Sequence, residues 1–124
     1  MKVLVCGDRN WTHVDSIYDY LKALSLACHI TEVMHGCARG ADQIAGEVAE
    51  GLGIDVAEYP AEWDKYGKRA GMLRNRVMLD MKPDLVVAFH NNLAQSRGTK
   101  DCVNEARKRG IKVVLVTHTE EELL

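Results

Sequence analysis

His35-Gly36-Cys37-Ala38-Arg39-Gly40-Ala41-Asp42 joins an apolar strand-like segment to an amphipathic helix, with two glycines and an arginine at the junction. A turn of this composition can build an anion site. Glycine lets backbone N–H groups approach a phosphate closely, and the first turn of the following helix adds its positive dipole end. The ligand class implied is a nucleotide. The same glycine spacing also serves helix–strand packing, so the reading leans on two further turns of related character.

Outward from this turn, strand and helix signals alternate. Val3-Leu4-Val5-Cys6 is a continuous apolar run closed by Gly7, as in a parallel strand buried on both faces. Thr12 with Asp15 resembles a capping box, and Val14, Ile17, Tyr18, Leu21 and Leu24 follow at helical spacing. A second strand spans Glu32 to His35. Ala41, Ile44, Ala45, Val48, Ala49 and Leu52 form the stripe of a second helix stopped by Gly53, and a third strand runs from Ile54 to Tyr59. From Ala61 to Met81 the pattern is helical in two pieces, bent or broken at Gly67 and Gly71, with Trp63, Tyr66, Ala70, Leu73 and Val77 near one face. Strand four covers Asp84 to Phe89, a helix Thr99 to Arg109, strand five Ile111 to Val116, and the tail from Thr119 to Leu124 reads as a short or frayed helix.

Five strands interleaved with helices predict a three-layer Rossmann-like α/β fold, a parallel sheet in the order 3-2-1-4-5, formed by residues 1–124 as one domain. In that order the chain reverses direction across the sheet between strands one and four, and ligands bind outside the carboxyl ends of the strands there. Three loops reach that place. The first holds Gly7, Asp8, Arg9 and Trp11; the second holds Gly36, Arg39, Gly40 and Asp42; the third ends in Ser96, Gly98 and Thr99 at a helix start. Arg9 is a bidentate phosphate partner, Trp11 is preferred over Trp63 and Tyr66 as the surface on which a base stacks, and Arg74 and Asn75 add donors. Asp42 reads equally as a ribose contact or a helix cap, and Arg74 and Arg76 equally suit a solvated helix face.

With 124 residues, 47% hydrophobic content and a net charge of −2, the chain fits one core without disulfide or metal staples, and it lacks the basic excess of a nonspecific duplex binder. Aromatic content of 6% also argues against single-strand nucleic-acid binding. Cys6, Cys28, Cys37 and Cys102 lack CxxC spacing, and the five histidines show no HxH or HExxH pattern. Reduced thiols and no metal site are therefore expected. No signal-peptide core or membrane-length apolar run is present, so the expected location is the cytoplasm, with no membrane partner and no cofactor.

Gly7-Asp8-Arg9-x-Trp11, the His35-to-Asp42 run, Tyr59-Pro60-Ala61-x-Trp63 and Gly67-x-x-Ala70-Gly71-x-x-Arg74-Asn75-x-x-Met78, then Ala88-Phe89 and Gly98-Thr99, together resemble the YspA-type branch of the SLOG superfamily. The resemblance runs through nearly the whole chain. It implies a Rossmann-like domain of bacteria and their phages that binds nucleotides or their derivatives, and it implies association as a homodimer, for which Trp63, Tyr66, Met72, Leu73 and Met78 offer apolar surface. Its better-understood cousins are the DNA-processing protein Smf, similar at the Gly36-to-Asp42 turn, and the Lonely Guy phosphoribohydrolase.

Hydrolase chemistry carries over only in part. Arg74 with Met78 is similar to the arginine of the hydrolase RKxxM motif, and Gly98-Thr99 to the end of PGGxGTxxE. Cys102 stands where that motif has its glutamate. Asp101 precedes it by one position, which turns the side chain by about 100° on a helix. Asn75 replaces the lysine, and His90-Asn91-Asn92 with a longer stretch before Gly98 replaces Pro-Gly-Gly. Ribose hydrolysis needs a carboxylate to stabilise developing positive charge or to position water. The expected function is therefore a nucleotide-binding or sensing module with little or no turnover. The alternative is a nucleoside 5′-monophosphate phosphoribohydrolase using Arg74 and Asp101.

Overall fold

A computed structural model describes residues 1–118. Five parallel strands, β1 (Lys2–Gly7), β2 (Glu32–His35), β3 (Asp55–Glu58), β4 (Leu85–Phe89) and β5 (Lys112–Val116), form one sheet in the order β3-β2-β1-β4-β5. This is the expected Rossmann-like architecture and strand order. In-register pairing sets Gly7 beside Phe89 and His35 beside Glu58, so the strands finish together along one edge. The expected tail helix from Thr119 onward lies outside the described residues.

The period of two along β1 divides the core. Val3 and Val5 face one way, into a cluster with Ile17, Leu21, Ala45 and Ala49 from α1 (Val14–Ala27) and α2 (Ala41–Gly51). Leu4 and Cys6 face the other way. They pack with Met78 and Leu79 of α4 (Ala70–Asp80) and with Cys102, Val103 and Ala106 of α5 (Gly98–Lys108). Every residue of β4 is buried, which explains its unbroken apolar sequence.

Two local expectations are corrected. The Thr12–Asp15 capping box does not form: His13 occupies the N-cap of α1 without a side-chain cap bond, and the Ser16 hydroxyl donates to the His13 carbonyl instead. Val14 and Tyr18 of the proposed α1 stripe are exposed, while Ile17 and Leu21 carry the burial. The segment after β3 breaks into α3 (Trp63–Tyr66), a 3-10 turn (Gly67–Arg69) and α4. Gly67 has φ +60, and the break shifts the helical phase. Only Ala70 of the expected stripe is buried; Trp63, Tyr66, Leu73 and Val77 point outward, and Asn75, Met78 and Leu79 face inward in their place.

Candidate functional site

At the carboxyl edge, the loops after β1, β2 and β4 and the start of α5 surround a cavity of about 340 Å³. Gly7, Asp8, Arg9, Asp42, Arg74, Asn75, Ser96, Gly98 and Thr99 all line it. Nine residues singled out in the sequence thus meet around one space between β1 and β4. Cys6, Ala38 and Arg97 also line it and were not among those residues, and His90 lines it as its position at the end of a strand beside the site implies. Arg97 directly precedes Gly98, so adjacency to this landmark was the available signal. Gly36 and Arg39 border a neighbouring cavity of about 630 Å³, which shares Arg9, Ala38 and Arg74 with the first.

The Gly36-to-Asp42 turn is braced by its own side chains. Asp42 accepts hydrogen bonds from the Gly36 and Ala38 amides at 3.0 and 3.3 Å, both through Oδ2. The Cys37 amide donates to His35 Nδ1, and the Ala41 amide to the Asp8 carbonyl. Gly40 caps α2 at φ +75, with its Cα packed so closely on the Asp8 and Arg9 carbonyls that a side chain has no room. This corrects the expectation that the Gly36 amide is open to a phosphate. It is already engaged. Asp42 is neither an N-cap nor an exposed ribose contact; it is a buried brace reaching back across the turn. Burial raises its carboxyl to about 6, against the pull of the Ala38 and Gly36 amides and of nearby Arg74 and Arg9.

Arg74 is held with similar care. Its Nη1 donates to the carbonyls of Gly36 and Tyr59, and its Nε donates to Asn75 Oδ1 at 3.0 Å. Asn75, itself buried, donates through Nδ2 to the Gly98 carbonyl and to Asp101 Oδ2, and so ties α4 to the start of α5. The reading of Arg74 as a solvated helix face is thereby set aside. Arg76 takes the outer position and pairs with Asp101 at 3.2 Å and Glu105 at 3.5 Å.

Other expectations change with these contacts. Asp101 is turned to Arg76 and Asn75, and it does not line the cavity. Ser96 Oγ accepts the Thr99 amide at 3.1 Å and so organises the first turn of α5. Trp11 is no stacking surface: it is 4% exposed, packs edge-on against Phe89, and donates its indole N–H to the His13 carbonyl and Ser16 Oγ. Cys102 is buried beneath the site. The neighbouring Cys102 thiol, together with burial, raises the Cys6 thiol well above the ordinary range, while Cys6 Sγ donates to the Val87 carbonyl.

His35, Cys37 and Glu58 place three ligand-type atoms within 4.8 Å of one another at the end of β2 and β3. His35 Nδ1 accepts from the Cys37 amide, so in the neutral ring Nε2 carries the hydrogen, with Glu58 Oε2 3.9 Å away. A metal ion on Nε2 would have to displace that hydrogen. Burial lowers the His35 pKa and favours this neutral ring.

The fold is a Rossmann-like α/β domain with a crevice at the carboxyl edge of its sheet. The sequence model of the YspA, cpYpsA-related SLOG family matches residues 1–66, from β1 through α3. The chain is also 38% identical over 119 residues to the Gene 61 protein of Mycobacterium phage D29, an alignment covering 91% of this chain and 94% of that protein. This chain belongs to the YspA, cpYpsA-related SLOG family. No helix among the described residues is long and apolar enough to cross a membrane.

Proposed function

We propose that the crevice binds a nucleotide or nucleotide-derived small molecule as a sensor or binding module of bacterial or phage origin, with little or no turnover. The observation that carries this reading is the convergence of Arg9, Arg74 and Arg97 on one cavity at the start of α5. Arg9 and Arg97 form no ion pair among the described residues, and nothing among them accepts from Arg74 Nη2. Guanidinium groups that make no direct ion pair among the described residues suit a phosphate, and the first-turn amides of α5 favour negative charge at the same place. Titration calorimetry with nucleoside mono- and diphosphates tests it. Binding that falls at least tenfold in Arg9→Ala and in Arg97→Ala, with melting temperatures retained, supports the reading; unchanged affinity in both overturns it.

One observation favours the hydrolase alternative. Asp42 is a buried carboxyl in the cavity wall near Arg74. Both of its hydrogen bonds hold the turn, which weighs toward a structural carboxylate. Chromatography of nucleoside monophosphates incubated with the protein separates the two, because a hydrolase releases free base.

The same proposal includes a homodimer formed through α4. Leu73, Val77 and Met81 lie one turn apart along its outer side and are 37%, 51% and 46% exposed. Asp80, near the end of this row, is paired with Arg109 at 2.7 Å, so the apolar row carries the pairing of two copies.

A further inference from the structure

The inner cavity offers arginines, amides and hydroxyls, but His90 is its sole ring among the described residues. A nucleobase gains its stacking energy from a larger aromatic face. Such a face stands at the outer cavity, where Trp63 is 50% exposed. Its ring is seated rather than loose: a Cβ built on Gly71 would lie 3.3 Å from Trp63 Cη2, so the bare glycine gives the indole its place. Pro60, Ala61 and Arg39 line the same cavity, and Arg39 forms no ion pair among the described residues.

The two cavities adjoin and share part of their lining. Arg9, Ala38 and Arg74 belong to both, and Arg74 Nη2, which has no acceptor among the described residues, is on the guanidinium that borders both. A ligand with its base on Trp63 would pass its phosphate chain over Arg74 and Arg9 and place its far end at Gly98 and Thr99. The guanidinium groups of Arg74 and Arg9 border both chambers, which suits more than one phosphate between base and far end.

Resting on the binding role proposed for the inner crevice, we propose that Trp63 is the base-stacking residue of a two-chamber site whose ligand is a nucleotide with an extended phosphate chain, at least a nucleoside diphosphate. The outer chamber holds the base. The inner chamber holds the terminal phosphate or a sugar attached to it.

Calorimetry with adenine and guanine series of nucleoside, monophosphate, diphosphate and diphosphoribose, together with ribose 5-phosphate and pyrophosphate, tests this on the wild type, Trp63→Ala and Trp63→Phe. Affinity is expected to rise from monophosphate to diphosphate. Trp63→Ala is expected to weaken the diphosphate by about tenfold or more while leaving pyrophosphate and ribose 5-phosphate unchanged, and Trp63→Phe to retain most of the affinity. A Trp63→Ala protein that binds the diphosphate as tightly as wild type, while Arg9→Ala still weakens it, overturns the outer chamber and leaves the inner site standing. Equal weakening of base-containing and base-free probes by Trp63→Ala also overturns it, since the change then acts through the fold. If the wild type binds no member of either series, both proposals fall.

Discussion

The guanidinium of Arg74 rests on the carbonyl of Gly36, and a side chain at Gly36 would occupy the same space. The glycine is therefore needed for what it lets in. Gly36→Ala is expected to drive the Arg74 head out of its seat. The guanidinium is the mobile end of a long side chain, so the cost is its hydrogen bonds, about 1–3 kcal/mol. Urea unfolding measures this. Because Arg74→Ala vacates the seat, the double variant should lose less than the two single variants added together. Strict additivity would show that the two positions do not share this contact.

Asp42 gives stability a pH dependence of defined sign. Its folded-state value of about 6 lies above the ordinary 3.8, so between those limits the native state holds the proton more tightly than the unfolded chain. The contribution of Asp42 is most favourable below about pH 4, declines as pH rises toward 6 and is level above that, with a total on the order of 3 kcal/mol. Asp42→Asn removes the titration, and its Oδ1 can still accept both turn amides, since both bonds go to one oxygen. The variant's stability relative to wild type, from urea midpoints at pH 4 to 7, should rise up to about pH 6 and then stay flat. Parallel curves would exclude Asp42 as the source.

How far the sequence discloses this molecule depends on whether a feature has a period or a boundary residue. Strands were readable because Val3-Leu4-Val5-Cys6 and Leu85 to Phe89 are apolar runs bounded by glycine, proline or polar residues, and alternation of helices then fixed the parallel order. Loops at strand ends could be placed from that order alone, which is why nine of the residues singled out line one cavity. The two tryptophans differ from expectation in exposure: Trp11 is buried and Trp63 is half-exposed. Trp11 lies in a loop, yet Ser16 and the His13 carbonyl satisfy its indole N–H and allow the ring to bury. Trp63 fits a helical stripe, but the break at Gly67 turns that stripe outward. Equally hidden were the bonds from the Gly36 and Ala38 amides to Asp42, because a side chain folding back on its own turn leaves no spacing signal.

Asp101 is expected to act in structure and not in chemistry. Its carboxylate holds Arg76 and Asn75, so Asp101→Asn should cost about 1–2 kcal/mol in urea unfolding and leave nucleotide affinity within a few fold. Wild type and variant should both release no base from adenosine monophosphate in chromatographic assays. Brisk release by the wild type, abolished by Asp101→Asn and by Arg74→Ala, would overturn the binding-module reading.

The outer row of α4 makes the final prediction. Leu73, Val77 and Met81 expose an apolar stripe on a helix whose other side is already buried through Met78 and Leu79, so covering the sheet does not account for them. Light scattering at micromolar concentration should give twice the 13.8 kDa chain mass. Val77→Glu places a carboxylate in the middle of the stripe and, in an antiparallel pair, near its own copy; it should yield a folded monomer with an unchanged circular dichroism spectrum. Dissociation should leave the nucleotide crevice working, since Val77 lines neither cavity of the site. A wild-type protein of monomeric mass, or a Val77→Glu protein that remains dimeric, would remove α4 as the interface.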